Sequence, residues 1–465
     1  MTKLTTEQEG WVAEASRTDI NGWIYLRIGG EPFARGFQHG YLVAKEWEDA
    51  IRVYRAMTFQ NYGLTYDFFA QHAVEMHKDK IPEEIADEMK GIAAGLTAAG
   101  VPATWEDILA WNAYEEITGY WYPSVSSQYA KDGPHYVQQG HCSAFVATGS
   151  ATADGKFVMA HTSFDTFWAG QYFNLMLDVT PTDGHRMVMQ SVPGYIQSST
   201  DFWVTDAGLV VTETTVGNFA GYDATRVPEY VRARTATQYA GTISEWVDLV
   251  NKDSNGGYAN TWLLADSGTQ EIASYEEGLI YQAFQSTRDG SYFGDNGPSD
   301  PRIMHLECAY YGYNDVRWPT GSRRVRWMQL LEQYHGRINR EVGQAMIADT
   351  YDVYLGFNNP SMRTICSHFD QDPLHFLSTL QEPYQPFGSC DAKLATSDDV
   401  QNMSMWARYG RADGVAFDAE EHFRQHPQWA WQRGYLQSRP SQPWTYFDNG
   451  NTQTQTRGAL LNPGS

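Results

Sequence analysis

Apolar positions recur with helical spacing through most of the first quarter of the chain. Residues 23–28 have the apolar run of a first strand, and helical periodicity follows over 33–57. A proline and a glycine bound a helix predicted over 83–99, and each residue suits its end of the helix. Thr104 and Asp107 form the capping-box pattern that opens another helix. The first 115 residues are therefore predicted to be mostly helical.

Short strand patterns replace the helical ones after residue 142. Turn signals such as Asp-Gly separate an antiparallel meander predicted over residues 143–147, 157–161, 173–179, 187–192, 202–205 and 209–215. Helices are predicted over 228–240, 242–250 and 322–335. A second meander is predicted over 258–266, 271–276 and 279–284. Helices and antiparallel strands come in blocks, which favours an α+β fold over a parallel α/β sheet.

Two stretches lack a clear period. Residues 120–139 are rich in proline, serine, glycine and tyrosine, which predicts a loop. The other, the Pro-rich stretch around 427–444, belongs to a Trp-rich tail, which is interpreted as wrapped on the core and not as a separate domain. No internal repeat or charge run marks a linker between domains.

Charge and composition exclude several classes of function. The chain has 465 residues and a net charge of −23, which argues against binding to nucleic acid or to anionic membrane surfaces. No run of about 18 consecutive apolar residues occurs, so no membrane span is predicted. The first ten residues lack the apolar core of a signal peptide. We therefore expect a cytoplasmic protein, and the sequence leaves its oligomeric state open.

Candidate metal ligands are sparse. His422 and His426 lie four residues apart, as two ligands on a helix do, but no glutamate follows the first and no third ligand is evident. A solvated helix is the better interpretation of this pair. The four cysteines are too few and too far apart for a disulfide framework or a Cys-x-x-Cys site. We expect no metal and no cofactor.

Cys142 differs from the other cysteines because a strand pattern begins directly after it. A lone cysteine is usually a small buried side chain, and this is our interpretation of Cys308, Cys366 and Cys390. A thiol at the head of a strand, followed by a hairpin that returns at His161, is where a self-processing amidase would keep its nucleophile. The chain is therefore a candidate precursor.

The chemistry of such a site explains why the thiol should begin a chain. In an N-terminal-nucleophile (Ntn) hydrolase the thiol attacks the preceding carbonyl, here that of His141, and hydrolysis of the thioester frees the α-amine of Cys142. This amine has an ordinary pKa of about 7.7–8.0, so it can accept the proton of its own thiol. Hydrogen-bond donors for the tetrahedral oxyanion are also needed.

Polar residues at the ends of neighbouring strands are candidates for those donors. One set is the run 213–218, and another is the run 257–262, where Asn260 interrupts the start of a strand. Threonine is ordinary in strands, and an asparagine at such a place is more often a turn or cap residue. A histidine at a strand end, such as His161, is more often a structural hydrogen-bonding residue. Both interpretations stay open for each residue.

Six short motifs occur in order along the chain: Gly140–Ala144, Val158–His161, Ser191–Gly194, Glu213–Asn218, Tyr258–Trp262 with Asp266, and Gly388–Lys393. In order and rough spacing, over about residues 140–400, they resemble the phospholipase B-like proteins. That family shares the Ntn-hydrolase fold with the autoproteolytic acyltransferases. Residues 29–40 are similar to the opening of those acyltransferases, and Ser322 with Arg323 to another of their motifs, although a helix cap explains the serine.

The resemblance implies a four-layer αββα sandwich, with two antiparallel sheets between helices. Cys142 matches the nucleophile released by cleavage of the His141–Cys142 bond, and His161 matches the active-site histidine of the family. Thr215 and Asn260 match residues that line the same centre, with Asn260 as the expected oxyanion donor.

The resemblance also implies a division of the chain. Residues 1–141 would form a helical segment whose final loop, over about 120–141, covers the pocket until cleavage and stays in the same domain afterwards. Residues 142–465 would form the Ntn-hydrolase core with its Trp-rich tail.

One departure from the family concerns the substrate. The Asn-Thr-Trp that follows the histidine in the family is here the run 162–164, Thr-Ser-Phe, so an amide and an indole are missing. Asp165 is a candidate to replace a lost polar contact, with a turn role as the alternative. Thr214 is a candidate for orienting the substrate.

The leading hypothesis is hydrolysis of a linear amide bond, in an N-acyl or peptide-like substrate, through an acyl-enzyme on Cys142. The expected ligand is a small-molecule or lipid-like acyl compound. The alternatives are hydrolysis of phospholipid acyl esters, transfer of the acyl group to an amine, and a non-enzymatic binding member of the fold.

Overall fold

The computed structural model describes residues 3–129, 142–309, 312–373 and 382–448, together with the backbone of 452–454. The chain divides into two compact units that each draw on separate stretches of sequence. The first unit comprises Met1–Tyr136, Asn174–Ala207 and Ala220–Tyr258. The second unit comprises Val137–Phe173, Gly208–Phe219 and Ala259–Ser465. Helices and strands are numbered below in chain order.

The first unit is mostly helical. Its helices are α1 Thr6–Glu14, α2 Pro32–Leu42, α3 Ala44–Tyr62, α4 Tyr66–His77, α5 Glu83–Ala99, α6 Trp105–Glu116, α7 Tyr122–Val125, α9 Glu229–Tyr239 and α10 Ile243–Asn251. Its strands are β1 Ser16–Ile20, β2 Trp23–Gly30, β5 Leu175–Pro181, β6 Met187–Ser191 and β7 Phe202–Thr205. They pair in the order β1-β2-β5-β6-β7, antiparallel except for β2 with β5.

Helix α2 packs both on the sheet of the first unit and on helix α5. Gly36 and Gly40 of α2 face the backbone of α5, where a β-carbon at either position would overlap the carbonyl oxygen of Glu88 or Ile92. Glycine is needed at these positions because the two backbones approach directly. The helical segment predicted over 33–57 is interrupted at Val43, which separates α2 from α3.

The described residues of the second unit form two large sheets and the small antiparallel pair of Tyr351–Asp352 with Phe357–Asn358. Its strands are β3 Cys142–Gly149, β4 Gly155–Thr166, β8 Leu209–Thr215, β9 Asn260–Asp266, β10 Ile272–Glu277, β11 Gln282–Thr287, β12 Gly290–Gly294, β13 Tyr351–Asp352, β14 Phe357–Asn358, β15 Phe387–Ser389, β16 Asp391–Thr396, β17 Met405–Tyr409, β18 Thr445–Phe447 and β19 Thr452–Thr454. Its helices are α8 Phe167–Gly170, α11 Pro301–Leu306, α12 Pro319–Gln333, α13 Arg340–Ile347, α14 Ser397–Gln401 and α15 Ala419–Gln425.

These two sheets pack face to face. Strands β8-β9-β10-β11 form one antiparallel ladder, and β12-β3-β4-β16-β17-β18-β19 form the other, with β15 also paired to β4. Strand β3 contacts β8 and β9, and helices α12 and α13 pack on the β12-β3-β4-β16 side. Phe145, Val158, Leu394 and Trp327 belong to the hydrophobic core there. The α+β sandwich with antiparallel sheets, predicted from the sequence, is confirmed.

The prediction of a loop over 120–139 is wrong for residues 120–129, which are the part that the structure describes. Helical turns continue through Ile117–Trp121, helix α7 and Ser126–Gln128. The Tyr122 ring packs edge-on against Tyr62 and Phe69, so aromatic packing holds turns that the local composition does not favour. Residues 130–141, the remainder of the predicted pocket cover, lie outside the described residues.

Among the residues described, no helix combines the length and the apolar character that a membrane crossing requires.

Candidate active site around Cys142

The hairpin of β3 and β4 places Cys142 and His161 on one side of a sheet. Cys142 is the first residue of β3 and pairs with Ser163, while His161 pairs with Ala144 two residues further along β3. Because side chains alternate along a strand, all four of these residues face the same way. Cys142 is 2% exposed and His161 is fully buried.

The antiparallel pair of strands β8 and β9 supplies a second set of polar side chains. Thr215 pairs with Asn260 at its end, and Glu213 lies two residues before Thr215. These three side chains therefore share one face of the ladder, and Thr214 lies on the opposite face. Thr214 packs against Gly294 of β12, where a β-carbon would overlap its hydroxyl. The structure thus groups Thr215 and Asn260 with Glu213 and separates Thr214 from them.

Glu213 reaches the thiol directly. The Cys142 thiol lies 3.4 Å from Glu213 Oε1, to which it donates a hydrogen bond. One atom each from Cys142, His161 and Glu213 lie within 4.8 Å of one another. Glu213 lies in one of the six sequence motifs, but no role is predicted for it from the sequence. The signal in the sequence is a glutamate within the apolar strand pattern of 209–215, because a carboxylate on a buried strand needs a specific partner.

Asn296 and Arg323 hold the backbone of Cys142. The Asn296 Oδ1 accepts a hydrogen bond from the Cys142 N–H at 3.4 Å, and its Nδ2 donates to the Thr215 carbonyl at 2.7 Å. Arg323 donates from Nη1 to the Cys142 carbonyl at 2.6 Å and from Nη2 to Asn296 Oδ1 at 2.7 Å. Asn296 therefore links the nucleophile residue to β8, and its amide orientation is fixed from both sides.

Burial controls the charges at this site. It lowers the pKa of His161 well below the ordinary value, and the nearby Lys393 charge lowers it further, while the nearby Glu213 backbone raises it in part. Burial also lowers the pKa of Arg323 to about 10, against the opposing effect of Asp295. Burial raises the pKa of Asp295 to about 6. At neutral pH the imidazole is therefore uncharged and the guanidinium stays charged.

Two polar side chains of β8 and β9 in this group have unused hydrogen-bonding capacity, as do the ring nitrogens of His161. Neither Nδ2 nor Oδ1 of Asn260 has a hydrogen-bond partner among the described residues, and the same is true of the Thr215 hydroxyl. Both side chains are fully buried. Leaving a buried polar group unpaired costs about 1–3 kcal/mol, and such groups in a native structure often have a functional reason.

The other predicted site residues have different surroundings. The Asp165 carboxylate accepts hydrogen bonds from the backbone and hydroxyl of Thr166, which favours the turn role that was its alternative. His141, the residue before the predicted cleavage point, lies outside the described residues. Lys393, in the last of the six motifs, pairs with His161 across β4 and β16 and donates to Asp391 at 2.7 Å.

Metal-binding capacity exists at the site, since Cys142, His161 and Glu213 offer one ligand atom each at close range. The expectation that no metal takes part stays a prediction. The interpretation of His422 as part of a solvated helix is wrong. His422 is buried, and its Nε2 lies 3.0 Å from the Tyr384 carbonyl oxygen. Contacts with residues distant in sequence bury it, and a local spacing of four residues could not indicate them.

Comparisons with known proteins agree with the motifs. The family model described as phospholipase B matches residues 33–366, which is most of the chain. An uncharacterized protein of Archaeoglobus fulgidus is 24% identical over 282 residues, or 57% of this chain and 44% of that protein. Phospholipase B-like 1 of Bos taurus is 25% identical over 282 residues, or 54% of this chain and 51% of the bovine protein.

A third relative, the phospholipase B of Crotalus adamanteus, is 29% identical over 169 residues, which are 34% of this chain and 29% of the snake protein. The matched part of this chain thus spans about half or less of each of these relatives. The family model nevertheless covers Cys142, His161, Thr215 and Asn260 together. The chain belongs to the phospholipase B family.

Proposed function

We propose that this chain is an Ntn hydrolase that cuts its own His141–Cys142 bond and then uses Cys142 as the nucleophile of an acyl-enzyme. The observation that carries the proposal is the buried thiol at the start of β3, grouped with Glu213 and two polar side chains that have unused hydrogen-bonding capacity. Membership of the phospholipase B family supports the coarser statement that the chain is a hydrolase.

The cleavage step moves an acyl group from nitrogen to sulfur. The Cys142 thiol attacks the His141 carbonyl carbon, the C–N bond breaks, and the leaving amine takes up a proton to become the α-amine of Cys142. Water then hydrolyses the thioester, which leaves a carboxylate on His141 and returns the thiol. Arg323 holds the Cys142 carbonyl oxygen, and Glu213 is close enough to accept the thiol proton.

The α-amine is the best candidate for the general base of the second reaction. The lowered pKa of His161 makes its imidazole a weak base, whereas an α-amine has an ordinary pKa of about 7.7–8.0. The nitrogen that becomes this amine already faces Asn296 Oδ1, and Arg323 fixes the asparagine in turn. The amine would therefore be oriented as soon as it is released.

Asn260 is our candidate for stabilising the tetrahedral oxyanion. Its amide is buried and has no hydrogen-bond partner among the residues described, so Nδ2 is available to donate to a substrate oxygen. Thr215, its partner across the ladder, has an available hydroxyl in the same group and is the second candidate donor. Neutral His161 then acts as a hydrogen-bonding group that positions the acyl portion.

Linear amides are the proposed substrates, and phospholipid esters are the second candidate. Both reactions pass through the same thioester on Cys142. The names of two relatives, phospholipase B-like 1 and phospholipase B, favour the ester reaction. The net charge of −23 opposes docking on anionic bilayers, which is why we rank it second.

Intact mass and N-terminal sequencing of the purified protein test the cleavage. Wild type is expected as fragments 1–141 and 142–465, the second beginning Cys-Ser-Ala-Phe. Cys142→Ala should remain one chain, while the matched control Cys390→Ala, which also loses a fully buried thiol, should be cut like wild type. A folded wild type that stays whole, or a Cys142→Ala chain that is cut, would contradict the proposal.

A substrate panel separates amide from ester hydrolysis. Mature protein is assayed against N-acyl amides and against phospholipids of matched acyl length, with Cys142→Ala as the blank. Faster turnover of the phospholipids would reverse our ranking without affecting the cleavage result.

A further inference from the structure

A second cluster of thiol, imidazole and carboxylate lies in the second unit, on segments that supply none of the residues around Cys142. Cys366 and His368 belong to the stretch between β14 and β15, and Asp413 follows β17. The backbone of this stretch is anchored, since the Cys366 N–H bonds to the Asp349 carbonyl and the His368 N–H bonds to the Ser361 carbonyl, each at 2.9 Å. From its sequence, Cys366 is predicted only to be a small buried side chain.

Two of these groups converge on one ring nitrogen. The His368 Nε2 lies 3.4 Å from Cys366 Sγ and 3.0 Å from Asp413 Oδ2, and the three atoms lie within 4.8 Å of one another. A ring nitrogen carries either one proton or one lone pair, so it can serve only one of these neighbours well. A cation between the three atoms would satisfy all of them at once.

Two of the three distances between these atoms are close to those of a tetrahedral zinc site, and the third, from sulfur to oxygen, is within 4.8 Å. With Zn–S near 2.3 Å and Zn–N and Zn–O near 2.1 Å, the edges of a tetrahedron are about 3.6 Å from sulfur to nitrogen and about 3.4 Å from nitrogen to oxygen. The observed distances of 3.4 and 3.0 Å differ from these values by a few tenths of an ångström. A thiolate, an imidazole and a carboxylate together suit zinc better than magnesium or calcium.

We propose that Cys366, His368 and Asp413 bind one zinc ion. Three protein ligands leave the fourth position to water. Cys366 and His368 are fully buried, while the Asp413 side chain is 14% exposed, so the ion would enter from the side of Asp413. The bound ion would tie the stretch after β14 to the turn after β17.

Asp370 supports this assignment because it lies near Nδ1, the other ring nitrogen of His368. Its Oδ1 is buried, has no hydrogen-bond partner among the described residues and lies 3.9 Å from His368 Nδ1. Its Oδ2 forms an ion pair with Arg411, which holds the carboxylate in place. When Nε2 binds a metal, Nδ1 carries the proton and usually donates it to such a carboxylate. The Gln371 Nε2 lies 3.3 Å from the same nitrogen and can only donate a hydrogen bond, so a protonated Nδ1 requires the Gln371 amide to turn its oxygen toward the ring.

Metal analysis of the full-length protein tests the proposal. Purified protein is loaded with zinc chloride, dialysed against metal-free buffer and assayed for zinc. Wild type is expected to retain about one zinc per chain, and Cys366→Ser and Asp413→Asn to retain less than a tenth of that. Asp370→Asn should keep all ligands but bind zinc about 10–100-fold more weakly.

Two control variants and a second probe make the outcome decisive. Cys390→Ala removes another buried thiol and Cys142→Ala removes the thiol of the other cluster, and both should retain zinc. Titration of wild type with cobalt(II) should produce a thiolate-to-metal charge-transfer band, which needs no variant to fold. The proposal is overturned if wild type shows neither retained zinc nor the cobalt band. It is equally overturned if Cys142→Ala loses the metal while Cys366→Ser keeps it.

Discussion

Asn260 and Asn296 both belong to the group of polar residues around Cys142, but they differ in how many hydrogen bonds their amides make. Asn296 makes hydrogen bonds through both ends of its amide, and Asn260 makes none with the described residues. Replacing each with alanine should therefore separate stability from catalysis. We expect Asn296→Ala to destabilise the fold and Asn260→Ala to reduce turnover with little effect on stability.

The expected stability changes follow from the bonds that each variant loses. Asn296→Ala loses the bond from the charged Arg323, worth about 1.5–3 kcal/mol, and the bond to the Thr215 carbonyl, worth about 0.5–1.5 kcal/mol. The free energy of unfolding should fall by about 2–4 kcal/mol. Asn260→Ala removes an unpaired buried amide, which recovers about 1–3 kcal/mol, and leaves a cavity of comparable cost. Its net change should stay within about 1 kcal/mol.

Urea unfolding of the uncut chain measures these differences. Both variants are made in the Cys142→Ala background, so that every sample is a single chain and only transition midpoints and slopes are compared. Turnover is measured separately in chains that retain Cys142, after mass spectrometry has verified the new N-terminus. There, Asn260→Ala should lower kcat by about 10²–10³, as the loss of one oxyanion donor does.

Two results would refute this reasoning. If Asn260→Ala lowers stability by more than about 3 kcal/mol, the amide must have structural partners and is not held ready for a substrate. If matured Asn260→Ala hydrolyses its best substrate at the wild-type rate, the oxyanion donor lies elsewhere, and Thr215 becomes the next residue to test.

Further predictions concern packing and pH. Gly294→Ala should lower stability by about 1–3 kcal/mol, because its methyl group would overlap the Thr214 hydroxyl, whereas Gly10→Ala in α1 meets no neighbour and should stabilise by up to about 1 kcal/mol. Thermal melting of both variants checks this, and equal shifts would contradict it. Burial raises the pKa of Asp295 to about 6 in the folded protein, so folding favours the protonated carboxyl. The stability that this protonation contributes is present at low pH and is lost as the pH rises from about 4 to 6. That loss is about 3 kcal/mol. Asp295→Asn should abolish it in urea titrations across this range, and an unchanged pH profile would exclude Asp295 as the source.

The sequence predicts the part of the site that local patterns encode. Alternating apolar positions and turn signals were enough to predict the hairpin that brings His161 back beside Cys142, and the register of β8 with β9 agrees with the predicted strands. Motif resemblance then selected Thr215 and Asn260 among many polar strand residues. These elements depend on neighbours close in sequence or on a family pattern, so one sequence contains the signal.

The contacts that the sequence did not reveal join residues far apart in the chain. Asn296 lies in an Asp-Asn-Gly-Pro run that is typical of a turn, and its φ of +69° fits that pattern. Its contact with Cys142 joins residues 154 positions apart, and that of Arg323 joins residues 181 apart. No local period carries such information. The aromatic packing around Tyr122 also joins residues distant in sequence, so it was not predicted, and local composition indicated a loop there.

Burial also decides the order of events that we propose at Cys142. The environment that lowers the pKa of His161 makes a neutral imidazole, so this histidine is poorly suited to activate the thiol as a base. In the uncut chain the Cys142 nitrogen is an amide, which has no basic lone pair. The carboxylate of Glu213 is the acceptor that remains beside the thiol, and it suffices for one intramolecular attack. Repeated turnover needs a base that accepts and releases a proton near neutral pH. The α-amine released by the cleavage has that property. Hydrolytic activity would thus begin only after cleavage.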